Sequence, residues 1–343
     1  MPRLCCKKKL FHNKNTTKRK LGGVFGTMED MKHTKDNTKI TKNKKKYKLK
    51  NWGEYNKALI QRGSLTLWIS SDIDTWWHGE GHDTYSDRAI EVMLTFKALY
   101  RLPLRATTGF VQSLFDLLHI PLSVPNYTTI SRRAEDLTVS LKRSPKDVTD
   151  LILDSTGAKV FGEGEWKVRK HGWSKRRVWK KLHIGIDSGG EIRAVVVTNN
   201  NIHDSTPILD ILRQEDAPIT DFYGDGAFDT WNVYHTLMAY GVTGFHIPPQ
   251  KNAVIHMHAH NKRTPYPRDV NLRAIRTSTR KQWKEISGYH TRSLAETCMF
   301  RYKTTFGHHM SFRTDESQRN EVVIKCNILN TFHFLGTPES YVM

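Results

Sequence analysis

Apolar residues are sparse over the first fifty positions, where Lys, Asn and Thr dominate, and the pattern predicts a disordered basic tail over 1–50. The first mixed stretch, NWGEYNKALIQRGSLTLWI, reads as a short amphipathic helix followed by a strand-like end. Gly79 opens a polar linker, GEGHDTYSD. From Asp87 the residues Ile90, Met93, Leu94, Lys97 and Ala98 recur at three-to-four spacing, predicting a helix that Pro103 interrupts. RATTGFVQSLFDLLHI then sets Phe110, Leu114, Leu117 and Leu118 on one face. After the turn PLSVPN comes YTTISRRAEDL, a short basic helix with Thr128 or Thr129 as its cap.

Beyond Pro145 the texture changes to strands alternating with helices. VTDLILDSTGAKV is a buried-strand run, and WKKLHIGIDSG and EIRAVVVTNN form a hairpin through DSGGE. DSTPILDILRQE reads as a helix capped by Asp204 or Ser205. ITDFYGDGAFD is a strand ending at Asp225, DTWNVYHTLMAYG a helix closed by Gly241, and GFHIPP a strand stopped by its prolines. Residues 250–275 read as a long, basic, mobile loop, residues 277–305 as one long helical segment, and RNEVVIKCNILNTFHFLG as an amphipathic helix.

Three strands, a helix, a strand, a helix, a strand and a last helix is the order expected of a ribonuclease H-like core. The predicted class is therefore α/β, a mixed sheet flanked by helices, behind an N-terminal helical region. Helix, proline-rich turn and short basic helix resembles a helix-turn-helix module. Arg132 and Arg133 are its candidate DNA contacts, and a plain helical bundle with exposed arginines is the other reading. The expected division is 1–50 basic tail, 51–145 helical, helix-turn-helix-like DNA-binding region, 146–310 ribonuclease H-like domain and 311–343 C-terminal strand and helix.

Charge sharpens this picture. The net charge is +20, and residues 1–50 alone hold 17 Lys or Arg against 3 acidic residues. A chain this cationic favours a polyanion partner, most often nucleic acid. Met28 offers a second plausible start, so part of the tail need not be translated. No stretch approaches the ~20 apolar residues of a membrane span, and no apolar run follows the N-terminal charges. The four cysteines, Cys5, Cys6, Cys298 and Cys326, form no C-x-x-C pair and read as reduced thiols in a cytoplasmic protein without membrane contact.

Three acidic positions carry candidate chemistry. Asp154 lies in an otherwise apolar strand, and burying a carboxylate costs several kcal/mol unless it is paired or binds a metal. Asp225 is flanked by Gly224 and Gly226, which let the chain turn and let a ligand approach. Taken singly, each also reads as a turn or strand-end Asp. Tyr289, Arg292, Glu296 and Lys303 are offset by 3, 7 and 14 residues. At ~100° per residue all four fall within roughly 60° around a helix. A carboxylate flanked by two cations and a phenol suits a divalent metal and the phosphates it acts on, although Arg292 and Glu296 also make an ordinary i,i+4 pair. WKVRKHGWSKRRVWKK, from Trp166, interleaves aromatics with cations, as a nucleic-acid strand or an exposed basic hairpin would have it.

The Tyr289, Arg292, Glu296, Lys303 spacing resembles the signature of bacterial insertion-sequence DDE transposases. LILDSTG and YGDGAFD resemble the stretches around that family's first two acidic positions. NWGEYNKALIQRGSLTLWI, VPNYTTISRRA, RKHGWSKRRVWKKLHIGID and NNIHDS are similar to its insertion-sequence-five branch, and the likeness spans about residues 50–340. The resemblance implies a transposase that cuts element ends and joins their 3′-OH groups to target DNA. It implies Asp154, Asp225 and Glu296 as ligands of two Mg²⁺ or Mn²⁺ ions, with Tyr289, Arg292 and Lys303 on nearby phosphates. It also implies a homodimer in the synaptic complex. An inactive DNA-binding regulator and a DDE nuclease that cuts without joining are the alternatives. The pair His203–Asp204 resembles a family feature beside the site, without an assigned role.

Overall fold

The computed structural model describes residues 47–80, 84–160, 179–256 and 265–342. The basic leader up to residue 46 and residues 161–178, most of the aromatic-cationic run, lie outside the described residues.

Strand β1 (Tyr47–Leu49) pairs antiparallel with the last strand, β8 (Ser340–Val342). Helix α1 (Trp52–Gln61) follows. The expected strand-like end after it is a 3-10 turn, Leu65–Leu67, and a short helix α2 (Ile73–Trp76). Leu65, Trp68 and Ile69 stand three and four apart and all pack on the core, which a strand alternating its faces could not achieve.

Helix α3 (Asp87–Leu99) starts where Ser86 Oγ accepts from the Ala89 N–H at 3.0 Å. Helix α4 (Leu104–Leu117) begins after Pro103. Helix α5 (Tyr127–Asp136) is capped by Asn126, whose Oδ1 accepts from the Thr128 N–H at 3.1 Å, two positions before the first of the expected threonines.

The main sheet runs β4-β3-β2-β5-β6. Strands β2 (Asp150–Val160), β3 (Trp179–Ile186) and β4 (Ile192–Asn199) are antiparallel neighbours. The shorter β5 (Asp221–Tyr223) and β6 (Gly244–His246) run parallel to β2, and β7 (His309–Met310) pairs with the far end of β2. The fold is thus mixed α/β, a mixed sheet flanked by helices.

Helix α6 (Ile208–Leu212) is preceded by Pro207 at its N-cap, not by Asp204 or Ser205. Helix α7 (Trp231–Ala239) ends before Gly241 at φ +82°, as the sequence predicts. The expected loop over 250–275 gives way to helix α8 (Pro267–Thr277). The expected single helix over 277–305 is instead α9 (Arg280–Ile286), a 3-10 turn Tyr289–Arg292, and α10 (Ser293–Phe306). Gly288, at φ +66°, makes the break, a conformation that costs an L side chain about 1–2 kcal/mol. Helix α11 (Asp315–Leu335) closes the core.

The pleat sorts the sheet into two apolar faces. Ile152, Leu182 and Ile184 face a cluster that also holds Ile90, Met93, Val111 and Ile130 from α3, α4 and α5, with Met299 and Ile324 from α10 and α11. Leu151, Leu153 and Phe222 face the second cluster with α6 and α7. The segment 87–140, expected to be a helical subdomain distinct from the α/β core, is helical to Asp136 and shares the first cluster with that core. Among the described residues, no helix is long and apolar enough to cross a membrane.

Candidate functional site

Parallel pairing of β2 with β5 sets Ile152 opposite Tyr223. Asp154 and Asp225 therefore each lie two residues past the same rung, at the same end of neighbouring strands. The strand ends at Tyr223, and Gly224 packs so closely that an added Cβ would stand 2.9 Å from the Phe228 ring. Asp225 Oδ1 accepts from the Ala227 N–H at 2.8 Å and starts a 3-10 turn, Gly226–Phe228. The turn reading of Asp225 is thus realised with one of its oxygens.

The third acid arrives from α10. Arg292, at the end of its 3-10 turn, places Nη1 2.6 Å from Glu296 Oε1 and Nη2 3.5 Å from Asp154 Oδ1. One guanidinium so joins two carboxylates from different elements. The expected continuous helical face is built from two helix types. Three residues make one 3-10 turn, which stacks Tyr289 over Arg292, and Arg292 reaches Glu296 across an α-helical i,i+4 step.

Charge crowds this end of the sheet. Burial pushes the Asp154 carboxyl above its usual range, and the Asp225 and Glu296 charges add to that push. Arg292 and the Ser155 N–H, at 3.0 Å, oppose it. Tyr289 is buried, which raises its phenol, as do the charges of Asp225, Glu296 and Asp154. Arg292 is the cation that Asp154 and Glu296 share, and it stays charged because Asp154, Tyr289 and Glu296 outweigh the burial that disfavours its charge.

The remaining candidates are placed unequally. Lys303 lies two turns further along α10, half-buried. Arg132 is exposed on α5. Arg133 is tied inward, with Nη1 donating to the Tyr85 carbonyl at 3.0 Å and Nη2 2.5 Å from Asp87. The cationic run from Trp166 lies outside the described residues up to Arg177 and Val178; its end, Trp179 to Lys181, forms the start of β3.

Two groups escaped the sequence reading. Asp229, four residues past Asp225, is fully buried in a pair with Arg268 at 2.8 Å and also accepts from the Gln250 N–H at 2.9 Å. It ties the loops around the site together and leaves Asp225 as the acid with an oxygen to spare. On the other face of β2, Lys181 Nζ stands 3.0 Å from Asp204, and the wholly buried His183 meets Thr198 Oγ1 at 2.9 Å. Asp204, read as a helix cap, is thus an ion-pair partner. Its lone hint in the sequence was its place in NNIHDS.

Among the described residues no group of three or more His, Cys, Asp or Glu side chains is spaced to hold a metal ion. The physical reason lies in Arg292, whose guanidinium stands between Asp154 and Glu296. The donor set nonetheless suits a hard divalent cation: two carboxylates share one cation, Asp225 stands at the same strand ends, and Glu296, 59% exposed, has room to turn.

A family model described as Transposase DDE domain matches residues 146–331, and a second of the same description matches residues 60–163. No solved structure matches the chain.

Proposed function

Because the chain belongs to the Transposase DDE domain family, we propose that it is an insertion-sequence transposase of the insertion-sequence-five kind that cleaves element ends and joins them to target DNA. The observation that carries this reading is the clasp of Arg292 on Asp154 and Glu296, with Asp225 at the same strand ends. The strand order, with three antiparallel strands followed by two parallel to the first, supports a ribonuclease H-like core.

In this reading Asp154, Asp225 and Glu296 hold Mg²⁺ or Mn²⁺. A divalent ion there supplies Lewis acidity to the attacking and leaving oxygens of an in-line displacement at phosphorus. The chain's own residues do the rest. Arg292 exchanges its carboxylate partners for a DNA phosphate, for which its planar fork is equally suited. Tyr289, fixed by burial, and Lys303, further along α10, take neighbouring phosphates. Arg132 and the basic leader add backbone contacts, and two copies of the chain hold the two ends.

The test is an incubation of purified protein with duplexes carrying the element's ends, with and without Mg²⁺, followed by sequencing of products. Strand-transfer joints that need the metal are expected. Nicks without joints would reassign the chain as a nuclease, and binding without nicks as a regulator.

A further inference from the structure

A second feature lies at the opposite end of α10. A cavity of about 850 Å³ opens between α3, α4 and α5 on one side and the end of α10, β7 and the start of α11 on the other. Five cations line it, Lys97, Arg101, Arg105, Arg313 and Lys325, against two acids, Glu135 and Glu321. Glu321 is spent internally. Its carboxylate accepts from the Ser311 N–H at 2.8 Å, the Phe312 N–H at 3.2 Å and Lys325 Nζ at 2.7 Å.

The cations differ in what else they do. Arg101 donates to the Thr304 carbonyl at 2.6 Å and to Thr305, closing the end of α10. Lys97 donates to Ser311 Oγ and is half-buried, and burial disfavours its charge. Arg105 is exposed and lies 4.5 Å over the Tyr127 ring, which holds its guanidinium in place. Arg313 is exposed and makes no ion pair with another described residue. The cavity therefore presents net positive charge, two of its cations are open to a ligand, and Ser131 and Thr314 add hydroxyls.

Position narrows the occupant. Glu296 and Phe306, which lines the cavity, are ten residues apart on α10, about 15 Å at the helical rise. Asp154 and Lys159, the partner of the cavity's His309, are five residues apart on β2, about 17 Å at the strand rise. The α10 path runs along the side of the sheet that Ile152 and Ala158 share with Asp154. A duplex with one phosphate at the carboxylates and its axis along α10 would bring its backbone to the cavity about 4–5 base pairs away.

We propose that this cavity is a second DNA site, gripping the sugar-phosphate backbone of the duplex being cut through Arg105 and Arg313 without reading its bases. The proposal rests on the transposase reading for the identity of the polyanion.

The test is the double variant R105A/R313A against wild type, with K57A/K146A, two exposed lysines outside both the leader and the cavity, as a control for lost charge. Fluorescence anisotropy with a labelled duplex is read from low to physiological salt. The cavity variant is expected to bind more weakly on any sequence, and its log Kd against log salt slope should fall by about 1.8, the share of two phosphate contacts. Thermal melts confirm that both variants remain folded. An unchanged slope, or an equal loss in K57A/K146A, overturns the cavity site and leaves the transposase reading standing. A midpoint that rises with inorganic phosphate while the DNA slope is unaffected by R105A/R313A makes the cavity a small-anion site and overturns the DNA assignment. A wild-type chain that binds no DNA overturns both.

Discussion

Glu296 pairs with Arg292 at 2.6 Å on a largely exposed side chain, so its structure alone would pass for a surface ion pair. Such a pair contributes about 0.5 kcal/mol, and its loss would leave activity untouched. In its proposed role as a metal donor, Glu296 would matter far more. E296Q keeps the volume and removes the charge, so nicking of element ends should fall by several orders of magnitude while gel-shift binding persists. Nicking at the wild-type rate would remove Glu296 from the site. The neighbouring arginines of α5 separate in the same way. R132A should weaken DNA binding and leave the melting midpoint in place, because Arg132 is exposed. R133A should cost about 1–3 kcal/mol, since it strips the Tyr85 carbonyl and Asp87 of a charged donor. Equal effects of the two substitutions on DNA affinity would refute that division.

Helix α11 shows how one element organises others. Asn320, Asn327 and Asn330 lie on one buried face. Asn320 Nδ2 donates to the Leu137 carbonyl at 2.6 Å, and Asn327 accepts from the Lys142 N–H at 2.8 Å. Asn330 Oδ1 accepts from the Ile192 N–H at 2.8 Å, while its Nδ2 donates to the Lys142 and Ile192 carbonyls. These amides stand in for a missing strand partner along the irregular stretch 137–142. N330A should lower the urea unfolding free energy by about 2–4 kcal/mol, because it leaves several buried backbone groups unpaired. A loss under about 0.5 kcal/mol would mean water replaces the amide. On β3, burial brings the His183 pKa down from 6.5 to about 4, with Asp204 raising it and Lys181 lowering it. Folding therefore requires the neutral ring. Its contribution is whole above pH 6.5, drains away as pH falls toward 4, and totals on the order of 3 kcal/mol. Wild type minus H183Q, measured by urea unfolding between pH 7 and 4, should show that slope; a flat difference would contradict it.

At the scale of the whole molecule, the apolar cluster on one face of the sheet takes side chains from α3, α4, α5, α10, α11 and strands β2 to β4. Removing residues before 146 would expose Ile152, Leu182, Ile184 and Met299 to water. A chain of residues 146–343 should then be unfolded or aggregated by circular dichroism and gel filtration, as a halved core cannot offset the chain's conformational entropy. A folded, monomeric fragment would show that the helical segment is a separable unit. The same shared core explains how Arg101 can close α10 and hold the α3–α4 turn against the side of the sheet that carries Asp154.

The sequence by itself determined most of the strands and helices, because each carries a local period: apolar runs for β2 to β4, three-to-four spacing for α3 and α4, and glycine or proline at the stops. It also singled out Asp154, Asp225, Glu296 and Arg292, since charged residues inside apolar strands or at helical spacing stand out without a structure. What it left open depended on distant partners. Ser278 and Gly288 break a stretch whose composition reads as one helix. Asp204 pairs with Lys181 of β3, and the helix begins only after Pro207. Arg133 faces inward because Tyr85 and Asp87, more than forty residues away, accept from it. The cavity of Arg105 and Arg313 joins residues some two hundred positions apart, and only the closed core brings them to one surface.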